Sequence, residues 1–182
     1  MRSWSILSVS LLLSSGVANA QESTRVVAAQ AAKKNLVQGS FGLGSPIGAL
    51  GVSYTYVPIP QLEVEIGGGV GRSGYQCSIV PKLSLGSTSD RLVLGVGPSI
   101  SADTWNEPKR TYVGYWLSGE IGYQHTTPAG VSVLVAAGIG YGLSGTMRVQ
   151  CSADCASNDQ GWDADIAGRV VPQVRMAVGR WF

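Results

Sequence analysis

The chain has 182 residues and a formal net charge of +2, and only 13% of its residues are charged, about half the usual share in a soluble domain. No cluster of Lys and Arg is larger than a pair such as Lys109-Arg110, which excludes nucleic-acid binding, because that requires a basic patch. The longest apolar run after the N-terminal region lies near Val133 to Ile139. It is far shorter than the roughly 20 residues of a membrane helix, so a helical membrane protein is also excluded.

Residues 1–20 have the three parts of a secretory signal peptide. Arg2 supplies the positive start, Ile6 to Leu13 the apolar centre, and Ala18-Asn19-Ala20 the small residues of a cleavage site. An uncleaved anchor is the alternative, but the apolar centre is too short for one. We therefore expect export, and a mature chain that begins at Gln21.

From Leu36 onward, apolar residues recur at every second position, which predicts β-strands with one apolar and one polar face. The clearest case is Val131 to Leu143, where only Leu134 and Ala136 interrupt the small, polar set. Eight such segments occur, near residues 36–44, 50–56, 62–70, 78–85, 92–101, 113–124, 131–143 and 170–182. An even number of segments about ten residues long predicts an all-β fold, an eight-stranded antiparallel up-and-down transmembrane β-barrel. The barrel would occupy residues 36–182, after an N-terminal periplasmic segment over residues 21–35 that is helical or irregular.

The connections support the same topology. With the N-terminus in the periplasm, the loops 57–61, 86–90 and 126–130 lie inside and are short, whereas 103–110 and 145–168 lie outside and are longer, as in outer-membrane barrels. Tyrosines and the terminal Phe fall at two heights, where lipid meets water: Tyr75, Tyr115 and Tyr141 at the outer rim, and Tyr54, Tyr56, Tyr123 and Phe182 at the periplasmic rim.

Three prolines fall within predicted strands, namely Pro81, Pro98 and Pro172. Proline has no N–H to give to a β-ladder, and a closed barrel has no free edge on which to place it. We therefore expect β-bulges or strand ends at these positions.

The chain ends in Phe182, which is in phase with the apolar residues Val170, Val174, Met176 and Val178. In this pattern it resembles the small OmpA-type and OmpX-type barrels of the Gram-negative outer membrane. The resemblance implies that the last strand closes the barrel and that Phe182 is an assembly signal recognised by the barrel assembly machinery. It also implies outer-membrane lipid and lipopolysaccharide as the surroundings of the protein.

On the polar side of the strands, three acidic and three basic residues face inward by the alternation: Glu63, Glu65, Lys82, Arg91, Glu120 and Arg175. Polar companions on the same side are Gln38, Gln76, Gln124, Gln173 and Trp116. Unpaired charges in a narrow interior would be costly, whereas paired ones are tolerable. The balance predicts a plugged interior held by ion pairs, with a proton or ion path as the alternative.

The predicted outer loops hold the candidates for surface interaction, because binding residues concentrate on loops carried by a rigid scaffold. These are Trp105, Lys109 and Arg110 in one loop, and Asp154, Asp159 and Asp163 in the other. Cys151 and Cys155 are the favoured disulfide, with Cys77 paired to either of them as the competitor. Neither the cysteines nor the acidic residues have the spacing of a metal site, and no cofactor is expected.

His125 is the only histidine, and it invites comparison with PagL-type barrel enzymes that deacylate lipid A. Those enzymes carry a His-x-Ser-Asn stretch, whereas this chain has His125-Thr126-Thr127-Pro128. It therefore lacks the nucleophile that serine-type catalysis needs near the base. The sequence favours a non-enzymatic outer-membrane protein with a structural or surface-interaction role. A narrow channel, a lipid-A-modifying enzyme and a soluble secreted barrel are the rivals.

Overall fold

The structure is a computed structural model that describes residues 33–71, 74–87, 89–106, 109–150, 161–162 and 166–182. Within these ranges, side chains are described except at 104–106, 109–111, 147–150 and 161–162. The predicted signal peptide, Cys151, Cys155 and the three loop aspartates Asp154, Asp159 and Asp163 lie outside the described residues, as does most of the predicted periplasmic segment.

Nine strands are present in the described residues. They are β1 (Asn35–Leu43), β2 (Leu50–Ile59), β3 (Leu62–Gly71), β4 (Gly74–Gly86), β5 (Asp90–Asn106), β6 (Lys109–Thr126), β7 (Val131–Gln150), β8 (Gly161–Trp162) and β9 (Val170–Trp181). Each of β1 to β6 pairs antiparallel with the next strand in sequence, β7 pairs with β9, and β9 pairs back onto β1. The predicted eight-stranded up-and-down antiparallel barrel is confirmed, and the two-residue β8 is an addition at the end of β7.

The barrel closes where its first and last strands meet. Leu36 lies opposite Trp181 and Leu43 opposite Val174. At the terminus, the backbone N–H of Phe182 donates to the carbonyl oxygen of Asn35 over 2.9 Å. Closure pairs the edges that an open sheet would leave free. No helix in the described part of the chain is long and apolar enough to cross a membrane.

The two ends of the barrel differ. At one end, which we call the turn end, residues 60–61, 87–89 and 127–130 connect the strands, as the sequence predicted. At the other end, the loop end, the predicted outer loops 103–110 and 145–168 are partly wrong, because β5, β6 and β7 run to 17, 18 and 20 residues. Asp103 pairs with Tyr112, and Asn106 with Lys109. The threonines and aromatic residues of this stretch are good strand formers, and the cross-strand pairing satisfies their backbone.

The prolines are accommodated in a way that the sequence did not reveal. Ser78 pairs with Ser99 and Lys82 with Gly95 in one unbroken register, but the ladder between β4 and β5 is interrupted at the residues in between, which include Pro81 and Pro98. The predicted bulges are therefore wrong at these two positions, since a gap in the ladder removes the need for the missing donors. Pro172 is the third residue of β9 and is paired with Ile139 of β7 in an unbroken register, so the expected bulge or strand end is wrong here too. It lies beyond the last pair between β1 and β9, where no partner strand needs the missing donor.

Side chains alternate around the barrel as the sequence predicted. Outward positions carry large exposed apolar residues, such as Val52, Ile66, Ile121 and Val178. Inward positions are buried and are mostly polar or small. Leu134 and Ala136, which interrupt the polar side in the sequence, point inward and form a small apolar cluster with Val93 and Ala177.

Candidate functional site: the barrel interior

The centre of the barrel holds a closed ring of four charges from four strands. Lys82 Nζ lies 2.9 Å from Glu65 Oε2 and 2.8 Å from Glu120 Oε1. Arg175 lies across from the lysine, with Nη1 at 2.7 Å from Glu65 Oε1 and Nη2 at 2.7 Å from Glu120 Oε1. Each carboxylate thus contacts both cations, and the ring is electrically neutral.

The ring is almost completely removed from solvent. Glu65 is 0% exposed, Arg175 2% and Lys82 3%. Charges buried this deeply are tolerable only when their partners and hydrogen bonds are in place, because desolvation costs several kcal/mol for each ion. The ring therefore holds four strands in a fixed register and fills the middle of the interior.

Gly95 makes room for this ring. It lies between the two charged residues in the sheet, opposite Lys82 on β4 and Glu120 on β6. A Cβ atom at this position would lie 3.2 Å from Cγ of Lys82 and 3.2 Å from Cγ of Glu120, closer than ordinary van der Waals contact. The absent side chain leaves the space that the two long side chains occupy.

A second ion pair lies nearer the turn end. Arg91 Nη1 lies 3.0 Å from Glu63 Oε1, and the Ser84 hydroxyl donates to the same oxygen over 2.6 Å. The Arg91 guanidinium also lies 5.5 Å from the centre of the Trp181 ring, within the range of a cation–π contact. Trp181 in turn packs with Leu36 and Val57 in an apolar cluster, which closes this end of the interior.

All six residues predicted to face inward therefore do so, but in two groups. Glu65, Lys82, Glu120 and Arg175 form the ring, while Glu63 and Arg91 form the separate pair. Alternation could place all six on the inner side, but it could not show which would meet. That depends on the stagger of the strands around the closed barrel.

At the loop end, the segment between β1 and β2 folds into the barrel, which the sequence analysis missed. Ile47 is 0% exposed and Ser45 is buried beside it, with the Ser45 hydroxyl accepting from the Ile47 N–H over 3.3 Å. Ideal Cβ atoms at Gly51 and Gly67 would lie 2.6 Å and 2.8 Å from side-chain atoms of Ile47. The signal available in the sequence was the set of inward glycines on β2 and β3, which leave a space that another side chain must fill.

A cavity of about 510 Å³ lies at the loop end, lined on one side by Ser45, Pro46 and Gly48 of the segment that folds inward. Its polar wall includes Gln76, Ser99, Ser101, Trp116 and Gln173, and no charged residue lines it in the part of the chain that the structure describes. Ser118 and Gln173 separate it from the ion-pair ring, since each precedes a ring residue by two positions, on β6 and β9 respectively. The interior is thus a cavity open toward one end, above a neutral charged layer and an apolar closure.

The remaining candidates lie away from this interior. His125 is exposed at the turn end, where its Nδ1 lies 2.8 Å from Asp90 Oδ1, and Tyr123 donates to the same oxygen. Ser89 bonds to Asp90 and not to the imidazole, so this cluster has the orienting carboxylate of a catalytic triad but no nucleophile at hydrogen-bond distance from the histidine within the described residues. No group of three or more His, Cys, Asp or Glu that could hold a metal ion occurs among them either.

The loop candidates are only partly described. Trp105 and Arg110 are paired across the β5–β6 hairpin, and Lys109 begins β6, so these three belong to strands and not to a loop. Cys77 is a free, exposed thiol on the outward side of β4, and the predicted disulfide between Cys151 and Cys155 lies outside the described residues. Phe182 is 61% exposed at the turn end.

The chain was compared with models of known protein families, with curated proteins and with solved structures, and none of the three comparisons finds a match.

Proposed function

We propose that this chain is exported to a Gram-negative outer membrane and serves there as a non-enzymatic barrel with a closed interior. The observation that carries the proposal is the inversion of polarity across the wall, with apolar side chains exposed outside and ion pairs buried inside. A soluble barrel needs the opposite arrangement, because monomeric soluble proteins rarely expose contiguous apolar patches beyond a few hundred Å². When hydrocarbon surrounds the barrel, exposed apolar side chains carry no penalty in free energy, because they are not in contact with water.

The placement of charged and aromatic residues on the outer face also supports a lipid environment. Among the described strand side chains, the charged ones on the outer face are Asp90 and Arg180, and both lie at the turn end together with His125. Between them and the tyrosines near the loop end, Tyr75, Tyr115 and Tyr141, the outward positions carry no charge. A band of this kind, bounded by polar and aromatic rims, is the pattern of a barrel in a bilayer.

The closed interior supports a structural or surface-interaction role over a narrow channel. A solute that entered from the loop end would meet Gln173 and Ser118, then the ion-pair ring, then the cluster of Leu36, Val57 and Trp181. Displacing the ring would leave buried charges without partners. Surface interaction would fall to the loop end, with Trp105, Lys109 and Arg110, and with Asp154, Asp159 and Asp163 in the segment before β9.

A lipid-modifying activity has less support. His125 is oriented by Asp90, but hydrolysis of an acyl bond needs a nucleophile next to the base. In the proposed orientation this cluster would also lie at the periplasmic rim, whereas lipid A occupies the outer leaflet. Lipid A of identical composition with and without the gene is the expected result.

The decisive experiment is membrane fractionation followed by electrophoresis of boiled and unboiled samples. We expect the chain in the outer-membrane fraction, an N-terminus at Gln21, and faster migration before boiling than after it. Recovery of the folded chain in buffer without detergent would refute the membrane location. Discrete conductance steps of the purified barrel in a planar bilayer would refute the closed interior and favour a channel.

A further inference from the structure

Three neighbouring strands carry positive charge at the turn end and have no acidic side chain. β7, β9 and β1 follow one another around the wall, and none of them contains Asp or Glu. Arg180 is exposed near the end of β9, while Lys33 and Lys34 come directly before β1. Within the described ranges none of these three bases takes part in an ion pair. We call these three residues the basic edge.

Closure of the barrel is what brings the basic edge together. The end of β9 is held against the start of β1, because the Phe182 N–H donates to the Asn35 carbonyl oxygen over 2.9 Å. Arg180 is paired with Val37 in the same ladder. Even when a terminal carboxylate at Phe182 is counted as an anion, the basic edge keeps an excess of positive charge. Cations beside an apolar wall attract the anionic headgroups of a membrane surface.

An apolar groove on the outer wall begins next to the basic edge. Gly39 lies opposite Val52 on one side and Val178 on the other, and the side chains of both valines are exposed. A Cβ atom at Gly39 would meet nothing within 4 Å, so the floor of the groove is open. Gly39 is two residues from Val37, so the groove starts roughly 7 Å from the level of Arg180. From there it runs toward Phe41 and Met176, away from the turn end.

The other charged groups on the outer face at this end are already paired. Asp90 lies 2.8 Å from His125 Nδ1 and also accepts a hydrogen bond from Tyr123. Its carboxylate is therefore compensated on the spot and does not neutralise the basic edge. Arg180 remains the strand cation on the outer wall whose charge has no partner within the described residues.

We propose that this part of the wall binds one anionic phospholipid, with its phosphate at the basic edge and one acyl chain in the groove over Gly39. The phosphate suits Arg and Lys side chains, which form charge-assisted hydrogen bonds with it, and the acyl chain fills the groove by van der Waals contact. A zwitterionic lipid fits the same groove but brings its own cation, so the basic edge favours a headgroup with net negative charge. This inference rests on the proposed membrane location and adds a lipid class and a site to it.

The test is native mass spectrometry of the full mature chain, folded in detergent micelles and titrated with phosphatidylglycerol or with phosphatidylcholine of the same acyl chains. We expect one phosphatidylglycerol to bind at least about fivefold more tightly than phosphatidylcholine. Arg180→Gln should lower the affinity for phosphatidylglycerol about fivefold, the loss expected for one cation at a lipid surface. Arg180→Lys keeps the charge and should keep the preference.

Arg169→Gln is the matched control, because it removes the same charge from an exposed residue at the loop end and should leave the preference unchanged. Gly39→Leu fills the groove and should weaken the binding of both lipids alike. The proposal is overturned if the unaltered chain binds the two lipids equally, if Arg169→Gln reduces the preference as much as Arg180→Gln, or if Gly39→Leu leaves both affinities unchanged. A chain recovered folded without detergent would instead overturn the membrane location itself, whereas a detergent-dependent barrel with no lipid preference overturns this inference alone.

Discussion

Arg175 and Glu65 are 110 positions apart in the sequence, yet Nη1 of the arginine donates to Oε1 of the carboxylate over 2.7 Å in the centre of the barrel. The contact spans the interior, because β9 and β3 are separated by β1 and β2 around the wall. It ties the last strand of the chain to the first half of the barrel, and so it depends on closure.

Removing one charged partner from the ring should strongly reduce the free energy of unfolding. Glu65→Ala leaves a buried cationic excess between Lys82 and Arg175, and we expect a loss of about 3–5 kcal/mol in the free energy of unfolding. Asp90→Ala is the control, because Asp90 is exposed at the turn end and exposed ion pairs contribute little to stability. Urea unfolding of the folded barrels measures both, and equal midpoints would contradict a stabilising role of the ring.

Removing both partners together should cost less. Glu65→Leu with Arg175→Met leaves Lys82 paired with Glu120 and restores neutrality, so the double variant should be more stable than either single variant. The same unfolding measurements, arranged as a double-mutant cycle, give the coupling energy. Additive losses from the two substitutions would mean that the two charges do not interact in the folded barrel.

Ile47 should stabilise the barrel from the inside. Ile47→Ala removes a fully buried side chain and leaves an empty space among Gly51, Gly67 and their neighbours, for an expected loss of about 2–4 kcal/mol in the free energy of unfolding. Ile66→Ala is the matched control, because Ile66 is on the outer face of β3 and 53% exposed. Detergent covers that site and adapts to a smaller side chain. If both variants unfold at the same denaturant concentration, the inward fold of the β1–β2 segment is wrong.

Two strand glycines should respond differently to the addition of one methyl group. A Cβ atom at Gly69 would lie 2.1 Å from the carbonyl oxygen of Leu50, whereas one at Gly39 meets nothing within 4 Å. Gly69→Ala should therefore lower the yield of folded barrel and its unfolding midpoint, while Gly39→Ala should leave both unchanged. The fraction of heat-modifiable protein after refolding reports the yield, and equal tolerance at the two sites would contradict the close approach of β2 and β3.

A charge on the outer face should reveal the solvent there. Ala137 is exposed midway along β7 and lies opposite Ile121 and Val174, so Ala137→Arg should cost about 2–4 kcal/mol in a lipid bilayer. Ala129→Arg introduces the same side chain in the exposed turn before β7 and should cost less than about 1 kcal/mol. Both are measured by reversible unfolding from lipid vesicles. If Ala137→Arg leaves the free energy of unfolding unchanged, then this face of the barrel is in contact with water and not with lipid.

The polarity pattern allowed much of the fold to be predicted, because alternation with a period of two specifies both a strand and its buried side. It placed Glu65, Lys82 and Arg175 inside before any contact was known. It did not predict that β5 and β6 continue through residues 103–106 and 109–112, because polar residues such as Asp103 and Lys109 suggest a loop. Cross-strand hydrogen bonds overrode that local preference.

The cavity at the loop end was beyond such reasoning. Gln76, Trp116 and Gln173 were each predicted to point inward, but whether inward side chains fill a barrel or leave a space depends on their heights relative to one another. The inward position of Ile47 was not predicted either, because this residue lies in the segment between β1 and β2, where no alternation of polar and apolar residues indicates a buried side. A loop residue becomes a core residue only when neighbouring glycines leave a matching space.

Sequence alone thus determined the strand count, the polarity of each face and the neutrality of the enclosed charges, since these follow from residue types at every second position. Tertiary structure alone decided which charges meet, where the prolines interrupt the ladder and that a cavity remains above Gln173. These depend on strand stagger and closure, which bring together residues as distant as Glu65 and Arg175, and no local pattern encodes them.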